Sequence, residues 1–132
     1  MNIKIYYEDT DAGGVVYYAN YLKFFERGRT EYLGSLGVSL FELVKNGYLF
    51  AVVRAEIDYK SPAVLGDEIK VLTEITDVKR SSFTLRHKIV RINDKKFLTS
   101  GIITMVCVTN GMKIVSIPEN IKKQLILHIV KD

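Results

Sequence analysis

One cysteine, two prolines and no tryptophan set the first limits on what this chain can be. Cys107 alone supplies neither a disulfide framework nor a thiolate metal cluster. Its two histidines, His87 and His128, stand 41 positions apart with no ligand spacing around either, so no metal is expected. A serine elbow and a cysteine–histidine signature are both missing, which removes the common routes to covalent acyl transfer. No apolar run approaches the ~20 residues of a membrane span. Nor is there a basic stripe with interleaved aromatics, so nucleic acid is not an expected partner. Without a repeat, linker or low-complexity tract, the 132 residues read as one domain, residues 1–132.

What remains is ordinary core material: 48% apolar residues, eight of the 132 being tyrosine. Nineteen basic against 15 acidic residues leave +4, a mild excess that suits a small phosphate-bearing ligand. The opening residues 1–8 alternate, Ile3, Ile5 and Tyr7 against Lys4, Tyr6 and Glu8, as a strand with one buried face does and a signal peptide does not. A cytoplasmic location is expected.

The pattern then changes. Tyr18, Tyr21, Leu22, Phe25, Tyr32, Leu33 and Leu36 recur at helical spacing, predicting a long helix over 18–36. Lys23, Glu26, Arg27, Thr30 and Glu31 fall on the other face, with Arg27 and Glu31 spaced as an ion pair. Gly28 interrupts the stripe where the helix should come close to a sheet. A short helix over 39–45, capped by Ser39, is expected next. After Gly47 the period becomes two. Residues 50–60, 68–76, 82–92 and 97–109 are strand-like runs separated by turn residues. Asn110-Gly111 predicts a hairpin into a strand at 113–116, and Pro118 opens a closing helix to about Val130.

Strand, long helix, then four or more antiparallel strands is an α+β order. The helix has nothing else to pack on, so five or six strands should curl around it. The bare remainder is then best covered by self-association through sheet edges or faces.

The most informative stretch is residues 6–33, YYEDTDAGGVVYYANYLKFFERGRTEYL. Here an acidic segment ending at Asp11 runs through Gly13 and Gly14 into the long helix. A carboxylate is thereby carried towards a helix N-terminus, where free N–H groups and the positive end of the macrodipole point outward. That pairing suffices to attack an acyl carbonyl and hold the resulting oxyanion. An aspartate at this place equally suits a turn or helix cap. Asp9 reads as structural, and Cys107 as a buried, inert thiol.

The motif D-x-D-x-x-G-x-V before a helix containing Y-x-N-Y resembles the signature of the hotdog-fold acyl-CoA thioesterases. It is similar to the YbgC-like branch and to the 4-hydroxybenzoyl-CoA thioesterases. The similarity continues weakly through YKSPAVLGDEI and VKRSSFTLRHKI. It implies an antiparallel sheet wrapped around one central helix, and hydrolysis of acyl- or aroyl-CoA thioesters with no cofactor beyond the coenzyme A of the substrate. It implies Asp11 as nucleophile or general base, and the backbone N–H of residue 18 as the group that polarises the carbonyl. Many YbgC-like relatives carry histidine there; this chain has Tyr18, as the aroyl branch does. Gly14, Val15 and Tyr17 would border the substrate, and Lys79, Arg80 and Ser81 would meet the coenzyme A phosphates. A homodimer or homotetramer is expected, and an acidic acyl carrier protein is the partner that a non-catalytic reading would give the basic charge. Two other readings stay open: a hotdog hydratase or dehydratase, and a non-catalytic acyl-thioester-binding module.

Overall fold

The computed structural model describes residues 1–131. Five strands, β1 (Asn2–Lys4), β2 (Tyr48–Tyr59), β3 (Glu68–Val78), β4 (Ser82–Arg91) and β5 (Phe97–Thr109), form one antiparallel sheet in the order β1-β3-β4-β5-β2. Three helices accompany it: α1 (Asn20–Ser35), α2 (Leu40–Lys45) and α3 (Glu119–Leu127).

Alternation dictates the inner face. Ile69, Val71 and Ile75 of β3, Phe83, Leu85, His87 and Ile89 of β4, and Ile103, Met105 and Cys107 of β5 are buried in turn. Burial pushes the Cys107 thiol above its usual range, which keeps it unreactive. Register breaks at Val52/Arg54, Ile75/Asp77 and Ile89/Val90 each insert a bulge, and bulges bend strands. The sheet can therefore curl over α1, whose Tyr21, Phe24, Phe25 and Leu33 fill the concavity. Two glycines set how close the helix lies. A Cβ on Gly28 would stand 2.6 Å from Val71 Cγ1, and the Phe25 ring occupies the space a side chain at Gly101 would need.

Several expectations are corrected. The first strand stops at Lys4; a 3-10 turn, Tyr7–Asp9, follows because the Asp9 carboxylate accepts the Tyr6 N–H at 2.9 Å. Tyr7 is therefore 81% exposed instead of buried. The long helix begins at Asn20, leaving Tyr18 outside it and exposed. Its buried stripe includes Phe24 and Arg29 and omits Leu22. No ion pair joins Arg27 to Glu31 among the described residues. Residues 113–116 make one bridge, Ile114 to Val108, instead of a strand, and α3 ends at Leu127. Ser39 does cap α2, accepting the Glu42 N–H at 3.2 Å.

Candidate active site

The segment between the 3-10 turn and α1 is a hairpin closed by backbone bonds. Thr10 bridges Val16, Asp11 N–H donates to Val15 O at 2.9 Å, and Gly14 N–H donates to Asp11 O at 3.1 Å. Gly14 has φ +79°, a left-handed conformation that disfavours any side chain, so its glycine is a requirement of the turn. The far side of this hairpin is pinned too: Leu65 N–H reaches Gly14 O, and Val16 N–H reaches Ala63 O. Asp9 O takes both Tyr17 N–H at 3.0 Å and Asn20 Nδ2 at 2.9 Å, tying the turn to the first residue of α1.

Asp11 lies exposed at the tip of this hairpin. Its Oδ1 accepts Gly13 N–H at 2.8 Å, the Asx turn that aspartate favours, while Oδ2 has no partner among the described residues. One oxygen fixes the side chain and the other stays available.

The start of α1 is open. Ala19 occupies the cap position without a side-chain bond, and no acidic residue sits in the first turn. Neither Tyr18 N–H nor Ala19 N–H has an acceptor among the described residues. Beside them is a cavity of about 240 Å³ lined by Val16, Tyr18, Tyr21, Tyr59, Lys60, Ser61 and Pro62. Tyr59 closes one wall, its hydroxyl donating to Tyr18 O at 3.0 Å; Tyr21 Oη accepts Ala63 N–H at 3.0 Å. Burial pushes both phenols above their usual pKa, so they remain protonated at neutral pH.

The expected residues are brought together only in part. Asp11, Gly14, Val15, Tyr17 and Tyr18 share the hairpin and the helix start, but Asp11 is not among the residues lining the cavity. Tyr17 is exposed, its ring tilted against Tyr18 at 4.8 Å. Lys79, Arg80 and Ser81 form the β3–β4 turn, where Arg80 Nε donates to Ser116 Oγ at 2.8 Å. The 11 residues of β3 separate them from the hairpin, so they sit at the opposite end of that strand, at most about 35 Å along its path. One chain does not gather both sets. Reading by pattern missed Tyr59 and Lys60, which come from the far end of β2; the only signal was that they open the weaker motif YKSPAVLGDEI. Among the described residues, no cluster of His, Cys, Asp or Glu is suited to a metal ion.

A curled antiparallel sheet holding one long helix, with a loop carboxylate before an uncapped helix start, defines the hotdog class. The sequence profile of the thioesterase-like superfamily matches residues 6–125, and the chain belongs to that family. It is similar to the acyl-CoA thioesterase YbgC of Haemophilus influenzae, 41% identical over 91% of this chain and 88% of the relative. It is also similar to the acyl-CoA thioester hydrolase YbgC of Escherichia coli O6:H1, 39% identical over 80% of this chain and 78% of the relative. The crystal structure of protein TT1821 from Thermus thermophilus superposes with a TM-score of 0.90 at 26% identity, covering 97% of each chain.

Proposed function

We propose that this chain hydrolyses the thioester of acyl-CoA, releasing the free acid and coenzyme A. The observation that carries the reading is the open start of α1: two backbone N–H groups and, on the adjoining turn, one carboxylate oxygen, all without a partner among the described residues. The named activity of the two YbgC relatives supports it.

The thioester carbonyl oxygen lies against the Tyr18 N–H. Attack on the carbonyl carbon moves charge onto that oxygen, where a preorganised amide at the positive end of a 16-residue helix is worth about 3–4 kcal/mol. Asp11 either attacks directly, giving a mixed anhydride that water then cleaves, or takes the proton of the attacking water. The carbon–sulfur bond breaks in both routes, and the thiolate leaves without help from a strong general acid.

The coenzyme A phosphates meet Lys79, Arg80 and Ser81 of a second protomer, since within one chain β3 puts that turn at the opposite end of the strand from the hairpin. The free edge of β2 is the surface through which two copies join.

Replacing Asp11 by asparagine keeps an acceptor for Gly13 N–H, so the turn persists while the charge is lost. Thiol release from a panel of short, long and aromatic acyl-CoA substrates should fall at least a hundredfold with an unchanged circular dichroism spectrum. Undiminished turnover would refute the role of Asp11.

A further inference from the structure

Arg29 is 8% exposed, yet its guanidinium has neither ion pair nor hydrogen bond among the described residues. Buried charges are ordinarily paired, because an uncompensated one is expensive. Burial holds its pKa below the usual arginine value, and the Glu26 carboxylate opposes that shift without coming into ion-pair range. Glu26 is exposed and already accepts the Thr30 hydroxyl at 3.0 Å. The nearby His87 imidazole is held neutral and offers no counter-charge.

Arg29 faces a cavity of about 210 Å³ between α1, α2 and the start of β2, with apolar walls from Leu43, Val44, Leu49, Phe50 and Met105. Seven or so waters would fill that space. Glu26 and Thr30 share its rim with Arg29, so the cavity is largely apolar with one cationic fork that lacks a protein partner among the described residues and one carboxylate beside it. Such a fork fits a ligand that is greasy along its length and anionic at its end, with Glu26 working against it.

Its position says which ligand. Tyr59, the last residue of β2, bonds to Tyr18 before α1, while Leu49 and Phe50, near the first residues of β2, face Arg29. Strand and helix therefore run alongside each other in opposite directions, with the Tyr18 site at one end and Arg29 at the other. The nine helical steps from Asn20 to Arg29 span about 14 Å. Leu22, Glu26 and Arg29 follow one stripe of the helix, which starts two residues after Tyr18, and Leu22 is left 42% exposed along it. We propose that the Arg29 cavity receives the far end of the acyl chain and selects acyl groups that terminate in a carboxylate.

This rests on the hydrolase reading, so the test has two readouts. The first is kcat/KM for the full chain on pairs of CoA thioesters of equal length, one unsubstituted and one ω-carboxylated. The wild type should prefer the carboxylated member about tenfold or more. Arg29→Met should bring that ratio near one, Arg29→Lys should keep part of it, and Glu26→Gln should raise it by removing a repelling charge. A wild-type ratio near one, a ratio unmoved by Arg29→Met, or a loss of dimer mass in that variant with selectivity intact would overturn the assignment. The last result would give the missing carboxylate to a second copy of the chain. The second readout is the rise in Tm caused by the free ω-carboxylated acid, expected in the wild type and absent in Arg29→Met. If no thioester is cleaved but this rise is seen, the hydrolase reading fails and the Arg29 site stands; without the rise, the site falls as well. Should Arg29→Met not fold, the Glu26→Gln ratio decides: no increase over wild type sinks the proposal.

Discussion

His87 is fully buried on β4, stacked on Phe25 at 4.8 Å with the rings 7° from parallel. Thr73 Oγ1 lies 3.1 Å from Nδ1, and Nε2 has no partner among the described residues. Burial, and secondarily the Arg29 charge, push its pKa down to about 3 from an ordinary 6.5. The consequence for stability has a definite sign. Below pH 6.5 the unfolded chain takes up a proton that the folded chain refuses, so this contribution is fully present above 6.5 and declines as the pH falls towards 3. Between pH 7 and pH 5 the wild type should lose about 2 kcal/mol more than a His87→Gln variant, measured by urea denaturation. Equal losses in the two proteins would mean that the imidazole is protonated in the folded state. Arg29 belongs beside His87 at this scale, since both are polar groups whose burial no count of apolar residues would flag.

At the scale of elements, the contact between α1 and β3 is set by a missing side chain. Gly28→Ala gains up to about 1 kcal/mol of helix propensity but drives a methyl to 2.6 Å from Val71 Cγ1 and 3.2 Å from Thr73 Oγ1. Overpacking of that kind costs about 1–3 kcal/mol, so the variant should be less stable by roughly 1 kcal/mol. Adding Val71→Ala should recover stability relative to the sum of the single changes, a coupling that a double-mutant cycle on thermal melts would reveal. Gly28 was legible in the sequence because it breaks an otherwise regular stripe. Strands β3 to β5 were legible for the same reason, each having one face buried and one face wet. The start of the chain was not. Alternation through Ile3, Ile5 and Tyr7 reads as a strand, but the Asp9 carboxylate captures the Tyr6 N–H and turns the backbone away. Helical spacing placed Leu22 inside and passed over Phe24, because a curled sheet covers a wider and differently rotated arc of α1 than spacing alone defines. The motif pointed to Asp11 and Tyr18, yet Tyr59 and Lys60 join Tyr18 at the cavity only through the antiparallel run of β2 past α1.

The whole molecule leaves one side unfinished. β2 is 12 residues long, pairs only with β5 in the sheet order, and ends the sheet on an open edge. Long edges invite further pairing, and the first half of this one, Tyr48 to Val53, carries no charge, while Arg54, Glu56 and Asp58 stand in the second half. Val52 and Val53 are exposed midway along it, at 48% and 57%, and Phe41 and Val44 of α2 are exposed as well. Val44 and Val52 both line the Arg29 cavity, so the apolar surface of α2 continues onto the strand. Pairing two β2 strands would satisfy the edge, cover these side chains and bring the β3–β4 turn of one copy nearer to the hairpin of another. Val53 sits where the β2–β5 register breaks, outside the paired positions, so a substitution there leaves the β2–β5 ladder intact. Val53→Lys should therefore preserve the secondary structure of the protomer while placing two like charges together across the joined edge. Light scattering should report a shift from twice the chain mass towards the monomer, and coenzyme A affinity should weaken with it if the phosphate contacts come from the second copy. A variant that keeps its mass and its coenzyme A affinity would show that the chains assemble, or bind, by another surface.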